Sequence, residues 1–215
     1  MSISASEILL RAADVLQDTD HARWPADELL RWVNDAVREI ILYRPSAHSV
    51  TEVVSLKAGT YQEIPDDGVQ LLDVIRNMGM DGNRPGTVIR HADRSLLSDQ
   101  DPEWHRSSPG SSVYHYTFDD RNPKGFYVWP AAREGLHVEM LYSCLPAEVT
   151  ADIDTLDMGR EYINPIISYV VYRAFCKDSE YAQGNVAAAH YQAFATTMGV
   201  SGQSEGSESA NTGSV

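Results

Sequence analysis

The sequence is short of positive charge. Only 17 Lys and Arg stand against 31 Asp and Glu, a formal net charge of −14 at pH 7. Such a chain offers few cations to displace the counterions condensed on a phosphate backbone, which argues against sequence-specific nucleic-acid binding. An anionic membrane surface is disfavoured for the same reason. Cysteine is scarcer still, with Cys144 and Cys176 alone. Two cysteines without C-x-x-C spacing make neither a disulfide framework nor a zinc site, and a buried pair of free thiols in a reducing cytoplasm is expected. No apolar run approaches the ~20 residues that cross a bilayer. The opening MSISASEILL has neither the basic region nor the long apolar run of a signal peptide, so a soluble protein made inside the cell is expected. The phosphate-loop, dinucleotide, zinc-protease and nucleophile-elbow motifs are all missing.

What is present reads as a globular chain of 215 residues, 43% hydrophobic and 22% charged. In residues 6–18, Ile8, Leu9, Ala12, Val15 and Leu16 recur at spacings of three and four, which predicts a helix with Ser4 or Ser6 as cap. A polar break follows. Pro25 then suits a first helical position, with Asp27 and Glu28 in the first turn. Leu29, Leu30, Trp32, Val33, Ala36, Val37, Ile40 and Ile41 cover enough of this second helix to bury it on more than one side, and Pro45 stops it.

From His48 the period changes to two. Residues 50–56, 61–64, 71–77 and 87–90 read as strands, the last two joined by a turn around Asp81-Gly82. Asp93 caps a short helix over 93–97. Beyond a loop over 98–112, residues 113–118, 125–129 and 136–145 are aromatic-rich strands joined by turns over 119–124 and 130–135. The helical period returns with Tyr162, Ile163, Ile166, Tyr169, Val170, Arg173 and Ala174, and again with Tyr181, Ala187, Ala188, Tyr191, Phe194, Ala195 and Met198, an antiparallel helical hairpin. Residues 199–215 hold nine Gly or Ser among 17 and read as a solvated tail.

Segregated runs of helices and strands argue an α+β fold. The expected architecture is a helical bundle of N- and C-terminal helices with an inserted antiparallel β-rich module. The divisions fall at 1–47 for the N-terminal helical hairpin, 48–150 for the β module, 151–198 for the C-terminal hairpin and 199–215 for the tail.

Candidates for chemistry are few. His115 and His137 fall in neighbouring predicted strands and could meet, but a site needs convergent geometry as well as residue type. Asp66-Asp67 and Asp119-Asp120 lie in turns, where Asp serves local backbone hydrogen bonding. Cys144 lacks an activating neighbour. No catalytic residue, cofactor or metal is expected. The 11 Tyr and 4 Trp carry more information. Alternation in the aromatic strands sends half of Tyr114, Tyr116, Phe118, Phe126, Tyr127 and Trp129 inward and half outward. Tyr162, Tyr169, Tyr172, Tyr181 and Tyr191 offer more amphipathic area than a two-helix hairpin can hide, and Tyr suits contacts with one apolar and one wet end.

Four strings are similar to those of one family. They are Trp24-Pro25-Ala26-Asp27-Glu28-Leu29-Leu30-Arg31-Trp32-Val33-Asn34-Asp35-Ala36, then Leu71-Leu72-Asp73-Val74-Ile75-Arg76-Asn77-Met78-Gly79. The third is Tyr116-Thr117-Phe118-Asp119 with Asn122-Pro123-Lys124, and the fourth Tyr172-Arg173-Ala174-Phe175-Cys176-Lys177-Asp178-Ser179-Glu180-Tyr181-Ala182. In these the chain resembles the head-to-tail adaptor (connector) proteins of tailed bacteriophages. The resemblance implies a virion component forming a ring of about twelve copies beneath the portal, closed by heterologous contacts between its own copies. The ring would extend the DNA channel without binding the genome specifically and offer a docking surface to tail or nozzle proteins. The expected contacts to portal and neighbouring subunit are Tyr169, Tyr172, Arg173, Tyr181, Tyr191, Phe194 and Met198; those on the tail side are Tyr114, Tyr116 and Trp129. A tail-completion or tail-terminator neck protein is the alternative within the class. A carbohydrate-binding module that stacks sugars on Trp104, Tyr114 and Trp129 is the alternative outside it.

Overall fold

The computed structural model describes residues 2–177 and 184–199, so the expectations for Tyr181 and for 200–215 lie outside the described residues. In chain order the elements are β1 (Ile3–Ser4), α1 (Ala5–Leu16), α2 (Ala26–Tyr43), β2 (Ser49–Ser55), β3 (Gly59–Glu63), β4 (Gly68–Gly79), β5 (Arg90–His91), α3 (Arg94–Gln100), β6 (His115–Asp119), β7 (Asn122–Ala132), β8 (His137–Cys144), β9 (Thr155–Leu156), α4 (Ile163–Cys176) and α5 (Gly184–Thr197). The fold is α+β. The chain divides into two compact units, one drawn from residues up to His48 and from Leu145 onward, the other spanning Ser49–Cys144.

In the first unit α4 packs against α1, α2 and α5. Its apolar positions leave little surface for solvent, and Ile166, Val170 and Val171 are fully buried. The α2 helix buries Leu29, Leu30, Trp32, Val33, Ala36, Val37, Ile40 and Ile41, which spread around more than one face. Pro25 sits one place earlier than expected. Its extended ψ of 141° keeps it outside the helix, where its carbonyl accepts the N–H groups of Glu28 and Leu29. Between α1 and α2 the Asp18 carboxylate accepts the backbone N–H groups of Ala22, Arg23 and Trp24 at 2.9–3.1 Å. That turn delivers Trp24 into the core, where its indole N–H donates to the Ala174 carbonyl at 3.3 Å. Antiparallel β1 and β9 tie the start of α1 to the segment before α4.

The second unit holds two sheets. One is antiparallel with strand order β2-β8-β4; the other, β3-β7-β6-β5, is mixed because β5 runs parallel to β6. Their inner faces share a core that includes Leu71, Val74, Phe126, Val128, Val138 and Met140. The expected strand at 87–90 is largely absent as a regular element. Asn77 N–H donates to the Thr87 carbonyl and Ile89 N–H to that of Ile75, but only Val88 bridges Arg76 before the chain leaves to pair β5 with β6. Conversely, Asn122–Lys124 and Pro130–Ala132 are strand, not turn, so β7 is longer than its aromatic core suggests. The β6–β7 reversal is confined to Asp120 and Arg121, with Asp119 Oδ1 accepting Arg121 N–H at 3.0 Å. Asp93 caps α3 by accepting Ser95 N–H at 2.7 Å.

Two further expectations are corrected here. His115 and His137 belong to different sheets, His115 opposite Trp129 and His137 opposite Ser55, so neighbouring strands do not bring them together. Of the cysteines, Cys144 is buried but Cys176 is exposed, because it lies at the last position of α4, beyond the packed face.

Candidate functional site: a tyrosine cluster on the helical unit

Helices α2, α4 and α5 converge on an aromatic cluster. The α4–α5 pairing is antiparallel, as the ring contacts demand: Tyr169 meets Phe194 at 5.3 Å, Tyr172 meets Tyr191 at 5.0 Å and Phe175 meets His190 at 6.3 Å. Tyr43, the last residue of α2, closes the group with its ring 6.4 Å from Phe194. A hydrogen bond between the Tyr43 and Tyr191 phenols pushes the Tyr43 pKa up, with burial adding to it. Burial likewise raises the Tyr169 phenol despite the opposing Arg173 guanidinium, which lies 3.4 Å from its oxygen. The phenols give the cluster hydrogen-bonding tips on an apolar body.

Burial divides the expected contact residues. Tyr43 and Tyr191 are each 37% exposed, while Tyr172 and Arg173 are half-buried. Phe194 has no exposed surface, and Tyr169 and Met198 are buried too. The expectation that these last three present a contact surface is therefore corrected: α2 and α4 cover the face of α5 that bears Phe194, and all three residues serve the unit's own core. Arg173 also reaches Asp35 at 3.5 Å, and Asp35 pairs with Arg38 at 2.8 Å. Arg38 goes on to Glu148, so one short charged network flanks the tyrosines.

In the β unit Tyr114 is 50% exposed, with its ring 6.1 Å from that of half-buried Trp129. Tyr116 is buried, and its phenol donates to Asp73 at 2.8 Å. Burial, and then that bond, drive its pKa strongly upward. It is a core residue, which corrects its expected place on a tail-side surface: in β6 the alternation turns Tyr116 inward. Trp104 is buried as well, stacked on His105 at 3.6 Å, and cannot present a sugar platform.

Nothing converges into a chemical centre among the described residues. No group of three or more His, Cys, Asp and Glu has metal-binding geometry there. A small cleft of about 100 Å³ is lined by residues including Asn34, Val37, Arg38, Leu145 and Glu148, without a nucleophile–base pair. Among the described residues no helix is long and apolar enough to cross a membrane.

Sequence reasoning missed Tyr43 and Asn34. Asn34 carried a signal: it is a polar residue in the Leu30, Asn34, Val37, Ile41 row of an otherwise apolar helix face. Tyr43 offered none, because its ring acquires meaning only where α2 ends beside α5.

A search of curated proteins finds no match. A family described as SU10 adaptor protein matches residues 3–215, nearly the whole chain. Because the match covers nearly all of the chain, it identifies the protein as a member of the SU10 adaptor protein family, a bacteriophage structural adaptor.

Proposed function

We propose that this adaptor acts at the head-to-tail junction, as a ring of about twelve copies held by heterologous contacts beneath the portal. In this reading the helices of both chain ends act as one bundle and form the ring's body, and the intervening β unit is its inserted module. The ring continues the DNA channel and offers its far side to tail or nozzle proteins. The reading is supported above all by the tyrosine cluster, in which Tyr43, Tyr172 and Tyr191 stay partly exposed where three helices meet. Tyrosine at such a site supplies contact area at small entropic cost. Together with Arg173, these residues are the proposed contact to portal or neighbouring subunit, and Tyr114 with Trp129 is the proposed tail-side patch.

The net charge of −14 fits a channel wall. A polyanion slides past a repelling surface and sticks to an attracting one. Native mass spectrometry of the full chain mixed with the portal ring of the same phage tests the proposal. A discrete complex with one adaptor per portal subunit is the expected result. A bare portal, with binding to the tail tube instead, would overturn portal docking in favour of a tail-completion role.

A further inference from the structure

The four outer strands of the two sheets are not alike. β5 has two residues. β3 has five and its pairing with β7 is interrupted between Gly59 and Tyr61. β4 breaks register with β8 four times and has its outer side bridged at Arg76 by Val88. These are the devices that keep sheet edges from pairing with other chains: shortness, bulges and cover. β2 has none of them. All seven of its residues, Ser49–Ser55, pair with β8 in unbroken register, none is proline or lysine, and none is buried. Among the described residues no strand lies on its other side.

The alternation of an antiparallel ladder says which backbone groups are left over. Leu56 N–H donates to the Leu136 carbonyl, and the Leu56 carbonyl accepts Gly135 N–H, so Leu56 turns its polar groups toward β8. Val54, Glu52 and Val50 share that parity. Ser49, Thr51, Val53 and Ser55 therefore direct their N–H and C=O groups away from β8, toward the open edge. The only charged side chain on the strand is Glu52, whose carboxylate accepts the Tyr142 phenol at 2.6 Å through one oxygen. Two copies pairing β2 to β2 about a two-fold centred on the strand would set Glu52 against Glu52, an unfavourable cross-strand pair.

We infer that the β2 edge is a strand-addition site for an extended segment of a non-identical partner, carrying β-branched residues and a Lys or Arg opposite Glu52. The main-chain bonds would supply affinity, and the carboxylate, on a chain of net charge −14, would select the cationic strand. This site is independent of the tyrosine cluster, and its failure leaves the portal reading untouched.

The test uses the full chain and three labelled ten-residue peptides of alternating Val and Thr, with Lys, Ala or Glu at the centre. In the free protein the Thr51 and Val53 amides should exchange fast and those of Val50, Glu52 and Val54 slowly; early protection of Thr51 and Val53 would overturn the open edge. The Lys peptide should bind at least ten-fold more tightly than the Glu peptide and slow exchange at Thr51 and Val53, and Glu52→Lys should reverse the order. Val53→Pro removes an outward N–H and not a ladder bond, so it should keep the fold and abolish binding. Val53→Lys, which charges the edge without touching the backbone, should weaken binding and serves as the second variant if Val53→Pro does not fold. Peptide binding that survives whichever of these variants is folded, no saturable peptide binding, or a dimer of the chain lost on Val53→Pro would overturn the proposal.

Discussion

Asn34 on α2 holds Val149 by both ends of its peptide edge: Nδ2 donates to the Val149 carbonyl at 2.9 Å and Oδ1 accepts the Val149 N–H at 3.0 Å. One buried amide thus stands in for a strand neighbour and fixes the segment between β8 and β9 on the helix. Replacing it orphans two backbone groups whose desolvation costs about 1–3 kcal/mol each. Asn34→Leu, close in size, should destabilise the helical unit by about 2–4 kcal/mol. Urea unfolding followed through Trp24 and Trp32 would report it, and an unchanged midpoint would refute the clamp.

Asn77 plays the matching part in the β unit. Its amide nitrogen faces the carbonyls of Thr87 and Val113 and the Thr87 hydroxyl at 2.8–3.0 Å, while its oxygen accepts Val113 N–H at 2.8 Å. Asn77→Asp would aim a carboxylate oxygen at two carbonyls. The variant should lose about 3 kcal/mol or more at neutral pH and recover part of it in acid, where the protonated carboxyl donates again. A loss independent of pH would point to packing instead.

Acid should loosen the two carboxylate-nucleated turns of the helical unit. Partial burial pushes the Asp18 pKa up, but the Trp24, Arg23 and Ala22 N–H groups outweigh it and leave the pKa lowered. Asp154 is lowered by the N–H groups of Thr150 and Ala151, with the Thr150 hydroxyl adding to them. A carboxyl with a depressed folded pKa contributes stability that is complete above its unfolded value of about 3.9 and is lost as pH falls through the folded value. Asp18→Ala should therefore destabilise at pH 7 and converge with the parent below pH ~3. Parallel stability curves across that range would contradict this assignment.

Tyr191 and Phe194 separate interface from core. Phe194→Ala empties a fully buried site and should cost about 3–5 kcal/mol of stability, so it cannot report on docking alone. Tyr191→Ala, on a partly open ring, should cost about 1 kcal/mol of stability yet weaken portal binding at least ten-fold. Deleting residues 201–215 should weaken binding by less than about three-fold, since ordering a Gly/Ser-rich segment offsets what it gains. A larger effect from the deletion than from Tyr191→Ala would move the gripping element into those residues.

Much of the local order follows from near neighbours in the sequence. The α2 stripe from Leu29 to Ile41, the Asp93 cap on α3 and the turn at Asp119 express periodicity and side-chain-to-backbone bonds that act over a few residues. The acidic charge is likewise set by composition alone. What the tertiary structure alone decided is which side of each element meets which neighbour. Tyr114 and Tyr116 differ by two positions, yet one is open and the other is tied to Asp73 across the core, because Tyr114 precedes the strand and escapes its alternation. His115 and His137 parted because strands close in sequence entered different sheets. Phe194 sank and Tyr191 stayed partly open through one turn of α5 against α2 and α4, a distinction that periodicity cannot make until the partners of the helix are known.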